Sequence, residues 1–181
     1  MKKTVIMILA VIIFVITSFV VSFLYIDRLL DSLKFKTEDE IISLFEKNKK
    51  EFVKAANSLN AYQSHWSLRK GPHNSYIRSD WKSQKIRCGL YVIVHEKPYD
   101  ELSLMAEQLE NNDNILKILK KLNFKLIGKN PRLDKESIYF VKQTSINYEA
   151  GIVYSQNQAP TSQYIRKLTE IEDGWYYYES K

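Results

Sequence analysis

The apolar positions of this chain fall into three patterns. From Thr4 to Tyr25 they are continuous, 22 residues without a charge, Gly or Pro. From Thr37 to residue 60 they recur every three or four residues, and beyond Asn123 they gather in short β-rich segments. The first pattern is that of a membrane-spanning helix: at 1.5 Å rise per residue it covers roughly 33 Å, against a hydrocarbon thickness of roughly 30 Å. Val and Ile are indifferent helix formers in water, but lipid leaves the backbone no partner except itself. With Lys2 and Lys3 as a positive leader and Val20-Val21-Ser22 as a cleavage site, the same run would be a signal peptide of a secreted protein. Signal peptides carry roughly 7–15 apolar residues, however, and here Tyr25-Ile26 continue the run past the cut. The expectation is an uncleaved anchor over 1–25, held in the lipid bilayer from Thr4 to Tyr25, and a stalk over 26–36. By the positive-inside count Lys2 and Lys3 slightly outweigh Arg28, Lys34 and Lys36. A single-pass protein of the cell membrane is expected, N-terminus cytoplasmic and soluble domain extracytoplasmic. Ser18 and Ser22 have the spacing at which two such helices approach closely, although hydroxyls bonding back to their own helix are the favoured alternative.

The second pattern begins with Thr37-Glu38-Asp39-Glu40, a capping box in which hydroxyl and carboxylate each satisfy an orphan N–H. Ile41, Phe45, Phe52, Ala55, Ala56 and Leu59 then define one amphipathic helix over 38–60. Residues 61–87 have no steady period and read as short strands or loops, broken at Gly71-Pro72. Cys88–His95 is an apolar run of strand length, expected as a central strand buried on both faces. Pro98 and Asp100 introduce a helix carrying Leu102, Met105, Ala106 and Leu109. Asp113 is expected to cap a second helix with Ile115, Leu116, Leu119 and Leu122 inward. The third pattern holds strands at Phe124–Ile127, Ser137–Gln143, Tyr148–Tyr154, Tyr164–Ile171 and Trp175–Glu179. Asp173-Gly174 between the last two marks a tight hairpin, both residues tolerating positive φ. The sum is one α+β domain over 37–181: a long amphipathic helix, a helical pair and a C-terminal antiparallel β-meander.

Composition narrows the chemistry. In 181 residues there are one Cys, three His, five Gly and four Pro, which excludes collagen-like and disulfide-stapled chains. No nucleophile elbow, zinc-protease motif or phosphate-cradling glycine loop occurs. Cys88 with His73 or His95 could pair as nucleophile and base, but a thiol at the edge of an apolar strand is ordinarily inert. His65 and His73 have no further ligand at metal spacing. No catalytic, cofactor or metal residue is therefore expected, and an enzyme using Cys88 or a His is the alternative.

Charge singles out one segment. Tyr62–Arg87 holds six Lys+Arg against Asp80 alone, with four aromatics interleaved. Trp66, Arg69, Lys70, Arg78, Trp81, Lys82, Lys85 and Arg87 are candidate contacts to an anionic membrane surface or cell-wall polymer, the cations meeting phosphates and the indoles lodging at the interface. The competing view makes the tryptophans core and the cations a solvated face. Nucleic acid is not expected, because an exported domain seldom meets it; a protein partner stays open.

Alternation places Trp175 and Tyr177 on one face of the last strand and Tyr176 and Tyr178 on the other, with cross-strand partners expected among Tyr139, Tyr148 and Tyr154. Gly151-Ile152-Val153-Tyr154-Ser155, together with Trp175-Tyr176-Tyr177-Tyr178 after the Asp-Gly turn, resembles the C-terminal ends of small uncharacterised single-pass membrane proteins of low-GC Gram-positive bacteria. The resemblance covers roughly the last 60 residues and implies no activity. In layout the helix and meander are similar to cystatin and NTF2-like domains. The function expected is a membrane-anchored, non-enzymatic binding domain.

Overall fold

The computed structural model describes residues 17–20, 22, 35–62, 66–70, 82–86, 89–94, 101–130 and 133–181. The chain divides between Phe35 and Lys36 into two units. In the first, residues 17–20 and 22 are helical and exposed. No helix among the described residues is long and apolar enough to cross a membrane; Thr4, Tyr25 and most of the run between them lie outside those residues.

The second unit, Lys36–Lys181, is α+β. Helix α1 (Glu38–Lys47) starts at the capping box the sequence announces: the Glu40 amide donates to Thr37 Oγ1 at 3.3 Å and the Thr37 amide to Glu40 Oε2 at 2.8 Å. It does not continue to residue 60. At Asn48 the backbone leaves helical geometry (φ −126°, ψ 22°), and the Asn48 amide side chain donates to the Leu44 carbonyl at 2.9 Å. An Asn side chain competes for backbone partners in this way, and α2 (Lys49–Asn60) begins one residue later. The apolar stripes of both helices still reach one core. Phe45 packs on Trp175 with ring centres 4.9 Å apart, and Phe52 meets Phe124 and Phe140 at 5.3 and 5.2 Å. Each such ring, fully buried, stabilises the fold by about 1.5–3 kcal/mol relative to exposure.

The sheet has eight antiparallel strands: β1 (Trp66–Lys70), β2 (Lys82–Lys85), β3 (Leu90–Val94), β4 (Leu126–Asn130), β5 (Asp134–Ser145), β6 (Tyr148–Tyr154), β7 (Ile165–Glu172) and β8 (Trp175–Ser180). Their order is β2-β3-β1-β4-β5-β6-β8-β7. Two expectations are corrected. The run at Cys88–His95 is not central: its strand, β3, is second from an edge, because β1 inserts between it and β4. Trp66 and Leu68 of β1 are wholly buried at alternate positions, but the cations after them hide that period in the sequence. Nor are the last strands a simple meander, since β8 lies between β6 and β7. The reason is burial. β8, Trp-Tyr-Tyr-Tyr-Glu-Ser, buries side chains on both faces, whereas β7 carries Arg166, Lys167, Glu170 and Glu172 and suits an edge that must resist further pairing.

Helix α3 (Glu101–Glu110) buries Met105, Ala106 and Leu109 as expected. The next helix, α4 (Asp113–Leu116), is capped by Asn112 rather than Asp113: Asn112 Oδ1 accepts from the Ile115 amide at 3.2 Å. It runs into a π-helical turn, Lys117–Lys121, whose wider winding brings both Ile118 and Leu119 inward. Asn123 then takes a positive φ of 55°, and Lys142 from β5 donates to the carbonyls of Leu122 and Asn123. Lys129 serves α2 likewise, donating to the Tyr62 carbonyl at 2.7 Å. Two buried lysines thus neutralise the negative ends of helices.

Leu68, Ile127, Phe140, Ile152 and Tyr177 form one row across the helix-covered face of the sheet. The other face has its own smaller core of Leu133, Tyr139, Val141, Val153 and Tyr178, in which Tyr139 meets Tyr178 edge-on at 5.0 Å. Trp175 and Tyr177 do lie on the face opposite Tyr176 and Tyr178; Tyr154 is the cross-strand partner of Trp175, whereas Tyr139 reaches Tyr178 across the intervening strand β6 rather than from a neighbouring one.

Candidate functional site at the basic end of the sheet

Strand register gives the sheet two ends. At one end β5 finishes at Ser145 and turns into β6; at the other, β7 turns into β8 through Asp173-Gly174. Toward the Ser145 end run the last residues of β1, Arg69 and Lys70, the last of β2, Lys85, and the first residue before β4, Lys125; Lys181 follows β8 at the same end. Arg69, Lys85, Lys125 and Lys181 are exposed. Carboxylates share this end among the described residues: Glu38, Asp39 and Glu40 begin α1 just after Lys36, which Gln143 holds here. Glu40 lies 3.8 Å from Lys36 and Glu38 is paired to Lys167, while Glu179 and Glu149 are engaged inward. Glu179 accepts from the Tyr177 hydroxyl at 2.8 Å and Glu149 from the Tyr178 hydroxyl at 2.7 Å. At the Asp173 end stand Asp134, Glu136, Glu172 and Asp173, with Glu172 bonded to Lys49 of α2.

The chain also enters the domain at the Ser145 end. Lys36 donates its amide to Gln143 Oε1 at 2.7 Å, and Gln143 Nε2 donates to the Lys36 carbonyl at 3.0 Å, a two-bond clamp on the backbone. A β-bulge between Val141 and Gln143 accompanies it. The bulge needs Gly151 opposite, because a Cβ there would lie 2.0 Å from the Phe140 carbonyl oxygen.

Beyond the clamp, β5 and β6 are joined by a two-residue turn, Ile146-Asn147. Ile146 is 98 % exposed. Positive φ among the described non-glycine residues occurs only at Asn123, so this turn lacks the backbone that favoured hairpin turns use. Beside it a cleft of about 220 Å³ is lined by Ile146, Tyr148, Glu149, Tyr164 and Lys181, among others. Burial holds the Glu149 carboxyl above the usual carboxylate range, opposed by the Tyr178 hydroxyl bond and the charge of Arg69.

The basic segment expected from sequence is thus divided. Trp66 is wholly buried in the main core, a correction to its proposed surface role: position 66 alternates inward with Leu68, and its indole N–H has no partner among the described residues. Arg69 and Lys85 stand in one cross-strand row through Tyr91, on the face opposite the helices, while Lys70 and Lys82 occupy register positions of the other parity. Arg78, Trp81 and Arg87 lie outside the described residues, as do Cys88, His65, His73 and His95. Among the described residues no group of three or more His, Cys, Asp or Glu could hold a metal. Sequence reasoning missed Lys125, Lys181, the Gln143 clamp and Ile146. Only Ile146 left a signal, an apolar β-branched residue between two strand segments. Set against known proteins, the chain matches no family model, no curated protein and no solved structure.

Proposed function

We propose that this is a single-pass protein of the bacterial cell membrane, N-terminus cytoplasmic, which displays a non-enzymatic binding domain at the outer face and turns its basic Ser145 end toward the anionic membrane surface. The observation that carries this is the clamp of Lys36 by Gln143 at the end of the sheet where Arg69, Lys70, Lys85, Lys125 and Lys181 collect. Ten residues, 26–35, link the apolar run to that clamp, with an extended reach of at most about 35 Å. Each exposed cation near an anionic surface contributes about 1 kcal/mol.

The test combines retention and charge. Full-length protein should remain in the membrane pellet after carbonate washing, with its mature N-terminus next to Met1; mature protein beginning near Phe23 in the medium would overturn the anchor. The unit 36–181, which encloses its own core, should bind vesicles containing anionic lipid and be released at 1 M salt, where the Debye length falls to roughly 3 Å. Replacing Arg69, Lys85 and Lys125 together by Gln should weaken that binding roughly a hundredfold. Equal binding by parent and variant, or binding to an anionic wall polymer but not to vesicles, would overturn the lipid surface as partner.

A further inference from the structure

We propose that the β5–β6 hairpin tip, Ser145-Ile146-Asn147, is a lipid-inserting contact: Ile146 enters the interfacial region of the bilayer while Lys181 beside it meets the headgroups. The inference rests on the membrane-anchored reading above and deepens it by naming the residue that touches lipid.

Three observations converge on this tip. Ile146 is the most exposed large apolar side chain among the described residues, at 98 %. An exposed apolar residue alone is ordinary, but this one stands at the tip of a hairpin, beyond its last paired residues, Ser145 and Tyr148. The fold gains nothing from Ile there. Second, the tip lies three residues beyond Gln143, whose side chain grips Lys36, the first residue of this unit. Third, Lys181 is exposed and lines the cleft beside Ile146 together with Glu149, whose carboxylate accepts from the Tyr178 hydroxyl. An exposed apolar point beside a lysine, at the place where the chain enters the domain, has the chemistry of an anionic lipid interface: the side chain leaves water and the ammonium meets phosphate.

The experiment uses the full chain with Cys88→Ser, so that the thiol introduced by Ile146→Cys carries the sole environment-sensitive fluorophore. Asn157→Cys, exposed in the β6–β7 connection toward the opposite end of the sheet, serves as control. Both proteins are reconstituted in nanodiscs containing anionic lipid, and retention in membranes after carbonate washing is checked separately. The proposal expects blue-shifted emission at position 146, quenched by lipid bearing a shallow doxyl group and shielded from aqueous iodide, with position 157 the reverse. Retention in the membrane with a fully aqueous probe at 146 overturns the tip contact alone. Loss from the washed membrane overturns the anchor and the tip together. Quenching at both positions overturns the orientation. A disulfide-linked dimer of the unlabelled Ile146→Cys protein in nanodiscs, without lipid quenching of the labelled one, overturns lipid in favour of a second copy. Ile146→Asp, which should fold normally, is expected to keep the tip in water, read as loss of the difference in iodide access between nanodisc and detergent at a probe placed on Ser145→Cys.

Discussion

Two hairpins of one sheet end in two-residue turns, and they obey different rules. At Asp173-Gly174 the local chemistry agrees with the fold: Gly174 takes a φ of 74°, and a Cβ there would come within 2.9 Å of the Ser155 carbonyl oxygen. Of the two residues only Gly174, and not Asp173, uses the left-handed region. At Ile146-Asn147 both residues keep negative φ, so the turn makes no demand for Gly, and its β-branched apolar side chain sits 98 % exposed. The first turn is fixed by its own backbone. The second leaves its tip residue free of any folding requirement, which makes it the place to test for a contact outside the domain.

Breaking the Ser145 end at its foundation has the largest expected effect. Gly151→Ala would drive a Cβ to 2.0 Å from the Phe140 carbonyl oxygen, a backbone atom that cannot step aside. Loss of about 3 kcal/mol or more is expected in denaturant unfolding, with the bulge and the Gln143 clamp disturbed together. Gly174→Ala, at the other turn, should cost about 1–2 kcal/mol through its positive φ. Gln143→Ala removes two bonds to the Lys36 backbone and should cost about 1–2 kcal/mol, with faster hydrogen exchange of the Lys36 amide. Ile146→Asn should change stability by less than about 0.5 kcal/mol, since the side chain packs on nothing. A cost near that of Gly174→Ala would show that Ile146 does fold the hairpin and would erase the contrast.

A pH series sharpens the same comparison. Burial raises the Glu149 carboxyl above its ordinary value of 4.5, so the folded state binds that proton more tightly and stability falls as pH rises from 4.5 through the raised value. Glu38 acts in the opposite sense: its bond to Lys167 lowers it, so its contribution is present above 4.5 and is lost as pH falls below. Glu149→Gln keeps an acceptor for Tyr178 and removes the desolvated charge. The variant should match the parent in acid and become slightly more stable at neutral pH, measured by thermal unfolding. A variant less stable at neutral pH would mean that the Arg69 charge outweighs burial.

What could be read without coordinates follows from how locally each feature is determined. The capping box at Thr37, the limits of β6, and the division of Trp175-Tyr176-Tyr177-Tyr178 between two faces depend on residues a few positions apart. Strand order does not. Nothing in Leu90–Val94 reveals that β1 will enter between β3 and β4, and the placing of β8 inside β7 follows from comparing two strands for burial, not from the turn between them. The break at Asn48 and the π-turn at Lys117–Lys121 elude a fixed helical period because both change it. The basic end is half legible: its cations in β1 and β2 stand out in the sequence, but register alone brings Lys125 and Lys181 alongside them and puts Trp66 into the core.

Hydrogen exchange on the full chain in nanodiscs, with and without anionic lipid, addresses the orientation most directly. Amides of residues 144–148 should exchange more slowly in the anionic nanodisc than in the neutral one, while those of Asp173 and Gly174 should be indifferent to lipid charge. Protection at the Asp173 end, or equal exchange at both ends in both lipids, would contradict a domain that turns its basic end to the membrane.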